Sequence, residues 1–344
     1  NALPTQRGFT SFYGLPYSHE EGFPGPDPEQ WVYPPVPLYR DLDIIFQPFN
    51  ESTLTPLYNN EALNFLQNMS MSKQPFFLYM AYEQPHVPLF ESAHWPNVSR
   101  RGLYGDVVME MDHSIGLIMD TLKSLRLDNN TLVLFTSDNG AWIDPSAGTS
   151  IHSGVSYPFD GGSNAPFRGG KGSTWEGGSH VPAILWKPGM VPARSSCMSP
   201  MTNMDILPTL AELIGFKLPT DRAYDGVSVL KFINDTNQCN DREADPHQFT
   251  YYWRCGLLYA MRYKQYKAHW ITRNGFGKEP PIYHDPPILY NIEWDMAESI
   301  RLNTSNNASE YGQVLQKMQE EYTRYTNQVY EDMAFPEFNP QDWF

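Results

Sequence analysis

Apolar residues recur along this chain with a helical period in some segments and as short continuous runs in others. Residues 56–71 and 104–127 place apolar side chains at every third or fourth position, which predicts two amphipathic helices. Residues 76–81, 131–136 and 181–186 are unbroken apolar runs, which is typical of strands buried on both faces of a parallel sheet. This alternation predicts an α/β fold in which helices sandwich a mostly parallel sheet.

The pattern changes at about residue 245. Residues 249–253 and 257–271 are rich in tyrosine and tryptophan, which favours antiparallel strands. Residues 309–331 carry their apolar side chains on one helical stripe. We therefore predict two domains, a large α/β domain over residues 1–245 and a smaller C-terminal α+β subdomain over residues 246–344.

Two other segments have their own signatures. Residues 1–50 are rich in proline, glycine and aromatic residues and show no sustained period, which predicts an ordered loop region. Residues 205–215 have the pattern of a short helix that a glycine ends.

The composition indicates a folded protein and disfavours two classes of partner. Of the 344 residues, 41% are hydrophobic and 14% are aromatic, which is more apolar content than a disordered chain carries. The net charge of −15 disfavours nucleic acid and anionic membranes as partners. No apolar run approaches the roughly 20 residues that a transmembrane helix needs.

Several features predict a product of the secretory pathway. Asn-x-Ser/Thr sequons occur at Asn50, Asn68, Asn97, Asn129, Asn234, Asn303 and Asn307. So many acceptor sites favour a glycosylated protein, extracellular or lysosomal, with at least some of these asparagines exposed. The chain begins without methionine or a signal peptide, so we expect that an upstream segment has been removed.

Three cysteines leave one without an internal partner. Our expectation is a bridge between Cys239 and Cys255. Cys197 would then be free or joined to another chain.

Three groups of polar residues follow predicted strands and suggest a shared site. His86 follows the run at 76–81, and Asp138 and Asn139 follow the run at 131–136. Lys171 lies in a segment rich in glycine, which lets the backbone approach a ligand closely. Taken one at a time, His86 is better explained as a capping or core histidine, and Asp138 with Asn139 as part of an Asn-Gly turn. The glycine-rich segment is equally well explained as a surface loop.

Their convergence favours a functional interpretation. Ligands of α/β proteins bind beyond the carboxyl ends of the strands, where these residues would meet. Asp138 and Asn139 offer the hard oxygen ligands that Ca²⁺ or Mg²⁺ prefers. Lys171 is a compact cation, and His86 could donate a proton or hydrogen bond to an oxyanion or leaving group. The set describes a metal-assisted site for a tetrahedral oxyanion.

At this point the sequence resembles the type I sulfatases of the alkaline phosphatase superfamily. The similarity is carried by residues 8–9, 12–18, 75–79, 85–86, 104–108, 112, 116, 136–140, 161–167, 170–171 and 176–178, and more weakly by 205–209, 225–226, 289–292, 295 and 298. By this resemblance, residues 1–245 would be the C-terminal portion of an alkaline phosphatase-like catalytic domain.

The resemblance implies roles for particular residues. Asp138 and Asn139 would be ligands of one Ca²⁺ ion, Lys171 would bind the sulfate, and His86 would contact the sulfate or the leaving oxygen. The implied substrate is a sulfated sugar of glycosaminoglycan type or an aryl sulfate. His152 is a further candidate for substrate binding, as are Asp144 and Asp160 in the same loop.

The resemblance also shows what is missing. The family nucleophile is a formylglycine made from a Cys/Ser-x-Pro/Ala-x-Arg motif, and none of the three cysteines lies in one. We therefore expect the chain to be inert by itself and to require an N-terminal fragment of the same precursor as its partner. A homodimer is left open.

Two alternatives remain at this stage. The first is a catalytically inactive, secreted sulfatase-like protein that binds glycans or matrix. The second is a phosphatase or phosphodiesterase of the same superfamily, which is less well supported because the chain lacks the histidine-rich ligand pattern of those two-metal enzymes.

Overall fold

A computed structural model describes most of this chain. The described residues are 2–22, 34–143, 161–235, 239–241, 244–275 and 279–332. The candidates Asp144, His152 and Asp160 lie outside them. The chain divides into two compact units, residues 1–132 with 145–163 and residues 133–144 with 164–344. The predicted boundary at residue 245 stays a prediction.

The first unit contains a small antiparallel sheet that the sequence pattern did not predict. Its strands are β1 (Tyr13–Gly14), β2 (Leu38–Arg40) and β3 (Asp43–Phe46), in that order. Strands of two to four residues are too short to show a readable alternation. The prediction of a loop over residues 1–50 was therefore wrong in this part. Asp41 makes the tight turn between β2 and β3 with a φ of 54°.

Two helices of the first unit confirm the periodic pattern. Helix α1 spans Leu54–Ser72 and helix α2 spans Gly102–Ser124. Four residues spaced about one turn apart are buried on α1, namely Leu54, Tyr58, Ala62 and Leu66. Helix α1 ends at Lys73, which adopts the left-handed conformation typical of a helix C-terminus.

The segment 76–81 is not a strand in the part of the chain that the structure describes. The side chains of Phe77 and Tyr79 are 62% and 70% exposed, whereas Phe76 and Leu78 are half-buried. The prediction of a strand buried on both faces was wrong here. A strand requires a neighbour to complete its hydrogen bonds, and an apolar run does not specify one.

The second unit begins with a pair of strands and three short helices. Strand β4 (Val133–Thr136) pairs with β5 (Ala183–Trp186). The helices are α3 (Glu176–Ser179), α4 (Ile206–Leu213) and α5 (Leu230–Asn234).

The direction of strand pairing differs from the prediction. Strands β4 and β5 are antiparallel, and every sheet in the described residues has antiparallel pairs. A mostly parallel sheet was expected because the two strands read as continuous apolar runs. The predicted burial on both faces was also wrong, because Leu134 and Ile184 are 38% and 60% exposed. Continuous apolar runs are common in parallel sheets but do not fix the direction of the neighbouring strand, which is set by contacts distant in sequence.

The C-terminal part of the second unit confirms the predicted antiparallel sheet and helix. Four strands pair in sequence order: β6 (Phe249–Arg254), β7 (Leu257–Tyr263), β8 (Tyr266–Thr272) and β9 (Ile282–Asn291). Helix α6 (Glu310–Asp332) packs on this sheet through Leu315 and Met318. The predicted strand over 257–271 is in fact two strands, because Lys264 turns the chain with a φ of 53°.

The predicted disulfide was wrong. Cys197 is bonded to Cys239, and Cys255 is the free cysteine of the described residues. The Cα atoms of the bonded pair are 5.2 Å apart, within the usual range for a bridge. The amide of Ser199 donates to the carbonyl of Cys239 and holds the two segments together. Cys255 instead lies between β6 and β7.

All seven sequon asparagines have exposed side chains. The expected exposure is therefore confirmed, while glycosylation itself stays a prediction. In the described residues, no helix is both long enough and apolar enough to span a bilayer.

Candidate functional site

Two loops of the second unit are fastened together by backbone hydrogen bonds. One is the aspartate loop (residues 137–143), which follows β4, and the other is the glycine-rich segment (residues 164–180). The amide of Gly140 donates to the carbonyl of Gly178 over 3.1 Å, and the amide of Lys171 donates to the carbonyl of Ala141 over 3.0 Å. The backbone of Lys171 is thus bonded to Ala141, which follows Asp138 by three residues in the sequence.

The side chain of Asn164 links the same two loops. Its Oδ1 accepts from the amide of Ala141 over 2.8 Å, and its Nδ2 donates to the carbonyls of Ala141 and Gly169 over 2.9 and 3.0 Å. A single amide side chain therefore satisfies three backbone groups, which fixes the separation of the loops.

Two glycines make this close approach possible. A Cβ atom on Gly140 would lie 1.8 Å from the carbonyl oxygen of Gly177. A Cβ atom on Gly177 would lie 2.3 Å from the carbonyl oxygen of Gly169. A side chain at Gly140 would push the aspartate loop away from the glycine-rich segment, whereas one at Gly177 would force apart residues 168–169 and 177 within that segment.

The predicted metal ligands lie on the aspartate loop. Oδ1 of Asp138 accepts from the amide of Asn139 over 2.8 Å and from its Nδ2 over 2.5 Å. The hydroxyl of Ser137 donates to the carbonyl of Asn139, and Asn203 donates to the carbonyl of Ser137 over 2.9 Å. These bonds order the loop and leave the Asp138 side chain exposed.

The oxygen atoms of Asp138 and Asn139 are of the type that Ca²⁺ binds, but they are too few to complete its coordination. A carboxylate and an amide oxygen are hard ligands, and Ca²⁺ takes six to eight oxygens. No group of three or more His, Cys, Asp or Glu residues suited to a metal occurs in the described residues. Asp138 and Asn139 could therefore contribute to such a site without completing it.

Lys171 lies at the centre of the glycine-rich segment. Its side chain is half-buried, and its Nζ is 5.4 Å from the centre of the Trp142 ring. A cation over an aromatic face is attracted to the ring.

His86 lies in the first unit, so its part in a site with Lys171 stays a prediction. Its Nδ1 donates to the carbonyl of Val87 over 2.6 Å and lies 3.6 Å from a carboxylate oxygen of Glu20. The ring of His19 meets the His86 ring edge-on, with the centroids 5.9 Å apart. Because Nδ1 carries a proton toward a carbonyl, Nε2 is the basic nitrogen of the neutral ring.

Sequence reasoning missed a cluster of buried charged residues in the second unit. This buried charge cluster consists of Glu176, Lys267, His269 and Glu298. Nζ of Lys267 is 2.7 Å from a carboxylate oxygen of Glu176 and 3.6 Å from one of Glu298. Nε2 of His269 is 2.6 Å from the same oxygen of Glu298. Lys267 and Glu298 are 0% exposed.

The buried charge cluster shifts the pKa values of Glu176 and Lys267. Burial alone would raise the pKa of Glu176, but Lys267 and His180 outweigh it and hold that pKa well below its usual range. Burial would likewise lower the pKa of Lys267, but Glu176, Tyr252 and Glu298 raise it above its usual value. The two residues are therefore a charged pair.

His269 is the neutral member of the cluster. Burial lowers its pKa to about 4, although its hydrogen bond to Glu298 acts in the opposite direction. Its Nδ1 is buried without a hydrogen-bond partner in the described structure.

One sequence signal could have revealed the cluster. Lys267 and His269 are two residues apart on a strand, so both side chains point to the same face. Polar residues on the buried face of an otherwise apolar strand require partners. Glu298, which provides one, is remote in sequence and was noted only as part of the weaker similarity.

The low pKa of His269 predicts a pH-dependent stability. The unfolded chain binds the proton at a pKa of about 6.5, above the folded value of about 4. The free energy of unfolding is therefore highest above about pH 6.5 and falls by about 3 kcal/mol as the pH drops to about 4. Urea unfolding at several pH values would measure this slope. Replacing His269 with glutamine should flatten it, and an unchanged slope would contradict the assignment.

Family models match nearly the whole chain. The model described as Sulfatase matches residues 2–216, and the model described as the C-terminal region of aryl-sulfatase matches residues 245–343.

Curated relatives carry sulfatase names. N-acetylgalactosamine-6-sulfatase of Canis lupus familiaris is 37% identical over 278 residues, which cover 78% of this chain and 49% of the relative. Arylsulfatase G of the same species is 32% identical, covering 92% of this chain and 63% of the relative. Steryl-sulfatase of Homo sapiens is 35% identical, and the match covers 84% of this chain and 51% of the relative. The chain thus spans about half to two thirds of the length of these relatives.

Two solved structures, one of them named as a sulfatase, share the fold. The PsFucS1 sulfatase from Pseudoalteromonas sp. superposes with a TM-score of 0.77 at 24% identity, covering 93% of this chain and 67% of that one. Ps i-CgsB in complex with k-i-k-neocarrahexaose gives a TM-score of 0.67 at 25% identity, and the match covers 99% of this chain and 75% of that one. These similarities confirm the α/β class with a C-terminal sheet subdomain.

Proposed function

This chain belongs to the sulfatase family, and we propose on that basis that it forms the anion-binding part of an enzyme that hydrolyses sulfate esters. The observation that carries the proposal is the fastening of the Lys171 backbone to the aspartate loop through Ala141. This contact brings a cation and two hard oxygen ligands into one neighbourhood, which suits a tetrahedral oxyanion such as the sulfate group of an ester better than a neutral ligand.

Each residue has a proposed task. Lys171 binds the sulfate and stabilises the negative charge that develops on its oxygens. Asp138 and Asn139 would contribute two of the oxygens that hold Ca²⁺, and the ion would supply additional positive charge to the anion site. The hydrogen bonds of the aspartate loop keep those ligands in place, as supporting interactions do in other metal sites.

His86 is proposed to act on the leaving oxygen. Its Nδ1 is oriented by the carbonyl of Val87, which leaves Nε2 as the nitrogen that can accept and return a proton. Protonation of the departing oxygen lowers the barrier to breaking the S–O bond.

The nucleophile is proposed to come from an N-terminal sulfatase segment that carries the formylglycine motif. Cys197 and Cys239 are consumed in a disulfide, and Cys255 has no such motif around it. The chain covers only about half of several relatives. Exposed apolar side chains, among them Phe77 at 62% in the first unit and Ile184 at 60% in the second, offer surface for additional strands.

We propose a sulfate ester as the substrate, with a broader choice for the alcohol part. The names of the relatives include a sugar 6-sulfatase, an arylsulfatase and a steryl-sulfatase, so they agree on the sulfate ester and differ in the alcohol. We favour a sulfated sugar of glycosaminoglycan type or an aryl sulfate. The exposed sequons support a location in the secretory pathway, either extracellular or lysosomal.

A reconstitution experiment tests the proposal. The chain is produced alone and together with an N-terminal sulfatase segment carrying the formylglycine motif, and both preparations are assayed with p-nitrophenyl sulfate and p-nitrophenyl phosphate. We expect turnover of the sulfate ester only by the assembled protein, lost with a calcium chelator and restored by Ca²⁺. Equal turnover of the phosphate ester would contradict the proposal, as would full activity of the chain alone.

A further inference from the structure

The buried charge cluster has a connection that the proposed roles leave unexplained. Glu298 contacts the glycine-rich segment on both sides of Lys171. Its side-chain Oε2 accepts from the amide of Glu176 over 2.7 Å, and its backbone carbonyl accepts from Nη1 of Arg168 over 3.0 Å. Lys171 therefore lies between two points that are both tied to one residue of the C-terminal part.

Each tie is reinforced by aromatic and ionic contacts. The guanidinium of Arg168 lies 3.8 Å from the centre of the Trp175 ring, and that ring lies 4.3 Å from the His269 ring. Lys267 holds the Glu176 carboxylate from β8. The segment that carries Lys171 is thus tied to the turn that contains Glu298 and, through Glu176 and Trp175, to side chains of β8.

Glu298 is itself firmly held. Its φ of 48° is uncommon for a residue with a side chain and persists only where the surroundings fix it. Its amide donates to the carbonyl of Asp295, and the Asp295 carboxylate accepts from Ser299 and Ile300 over 2.8 to 2.9 Å. The turn after β9 is therefore a fixed support.

Stability alone is a poor explanation for this arrangement. Burying an ion pair is often no more favourable than packing apolar side chains of the same volume. The charged side chains add hydrogen bonds with preferred distances and angles, so they fix the relative positions of the groups that they join. Directional contacts on both sides of Lys171 would hold its ammonium at a defined place.

We propose that Glu298 is a positioning residue that holds Lys171 for anion binding through its contacts with Arg168 and Glu176. This inference rests on the proposed role of Lys171 and adds a residue, from a different region of the chain, that acts without touching the substrate. The C-terminal part of the protein thereby contributes to sulfate affinity.

Two variants of Glu298 test the proposal in the assembled enzyme. Glu298→Ala removes the acceptor for Glu176, whereas Glu298→Gln keeps an acceptor oxygen of the same reach. We expect Glu298→Ala to weaken inhibition by inorganic sulfate about tenfold and to lower kcat/KM by about 10- to 100-fold. Glu298→Gln should retain most of the inhibition by inorganic sulfate and most of kcat/KM.

A core variant separates positioning from simple loss of stability. Met318→Ala removes a fully buried side chain between α6 and the same sheet, away from the cluster. All variants are compared at a temperature at which they are folded by circular dichroism. We expect Met318→Ala to be less stable and yet to bind sulfate like the unmodified protein. Equal effects of Glu298→Ala and Met318→Ala on sulfate inhibition would overturn the proposal.

Hydrogen exchange gives an outcome that does not depend on activity. The amides of Lys171 and Gly177 are bonded to the carbonyls of Ala141 and Arg168. We expect peptides covering residues 164–180 to exchange faster in Glu298→Ala and unchanged in Met318→Ala. Unaltered exchange in Glu298→Ala overturns the positioning role. Faster exchange with no Lys171-dependent sulfate binding in the unmodified enzyme would support the positioning of the segment and reject the proposed function instead.

Discussion

Replacement of Lys171 by alanine is expected to lower kcat/KM for a sulfate ester by about 10²- to 10³-fold in the assembled enzyme. The loss follows from removing a fixed positive charge from the place where negative charge develops on the sulfate oxygens. The fold should survive, because the glycine-rich segment is held by the backbone of Lys171 and by Asn164 rather than by the ammonium group.

Two further substitutions make this result specific. Lys171→Arg keeps the charge but spreads it over a larger planar group, so we expect partial activity with a raised KM. Lys217→Ala removes an exposed lysine after α4 and should leave kcat/KM unchanged. The assignment of Lys171 fails if Lys171→Ala retains more than about a tenth of the activity, since that loss corresponds to only about 1.4 kcal/mol.

Replacement of Glu176 by glutamine is expected to cost about 3–5 kcal/mol in the free energy of unfolding. The substitution leaves the ammonium of Lys267 in a fully buried site without its nearest counter-charge, at a position where the original contact is 2.7 Å. Urea unfolding followed by circular dichroism at pH 7 would measure the loss. Few single substitutions in this chain should destabilise it as much.

A triple variant identifies the cause. In Glu176→Gln combined with Lys267→Met and Glu298→Gln, no charged side chain of the cluster remains, because Lys267 is also 3.6 Å from Glu298. The cost of an incompletely paired buried charge then disappears and much of the stability should return. If the triple variant is no more stable than Glu176→Gln, the destabilisation arises from lost packing or lost hydrogen bonds, and the buried charges do not explain it.

Much of the candidate site could be predicted from the sequence because its parts are local. Glycine at positions 140 and 177 signals close backbone contact, Asp138 and Asn139 follow the run at 131–136, and Lys171 lies among glycines before the run at 181–186. The cluster around Glu298 was missed because its members come from segments about 30 to 120 residues apart. No local pattern specifies which buried carboxylate meets which buried cation.

The sequence by itself determined the helices Leu54–Ser72, Gly102–Ser124 and Glu310–Asp332 and the β-rich character of the C-terminal part, because apolar periodicity records which face of each element is buried. Only the tertiary structure decided the antiparallel pairing of β4 with β5, the bond between Cys197 and Cys239, and the two ties from Glu298 to the segment carrying Lys171. Those features depend on which distant segments meet in space, and that is settled by the packing of the whole chain.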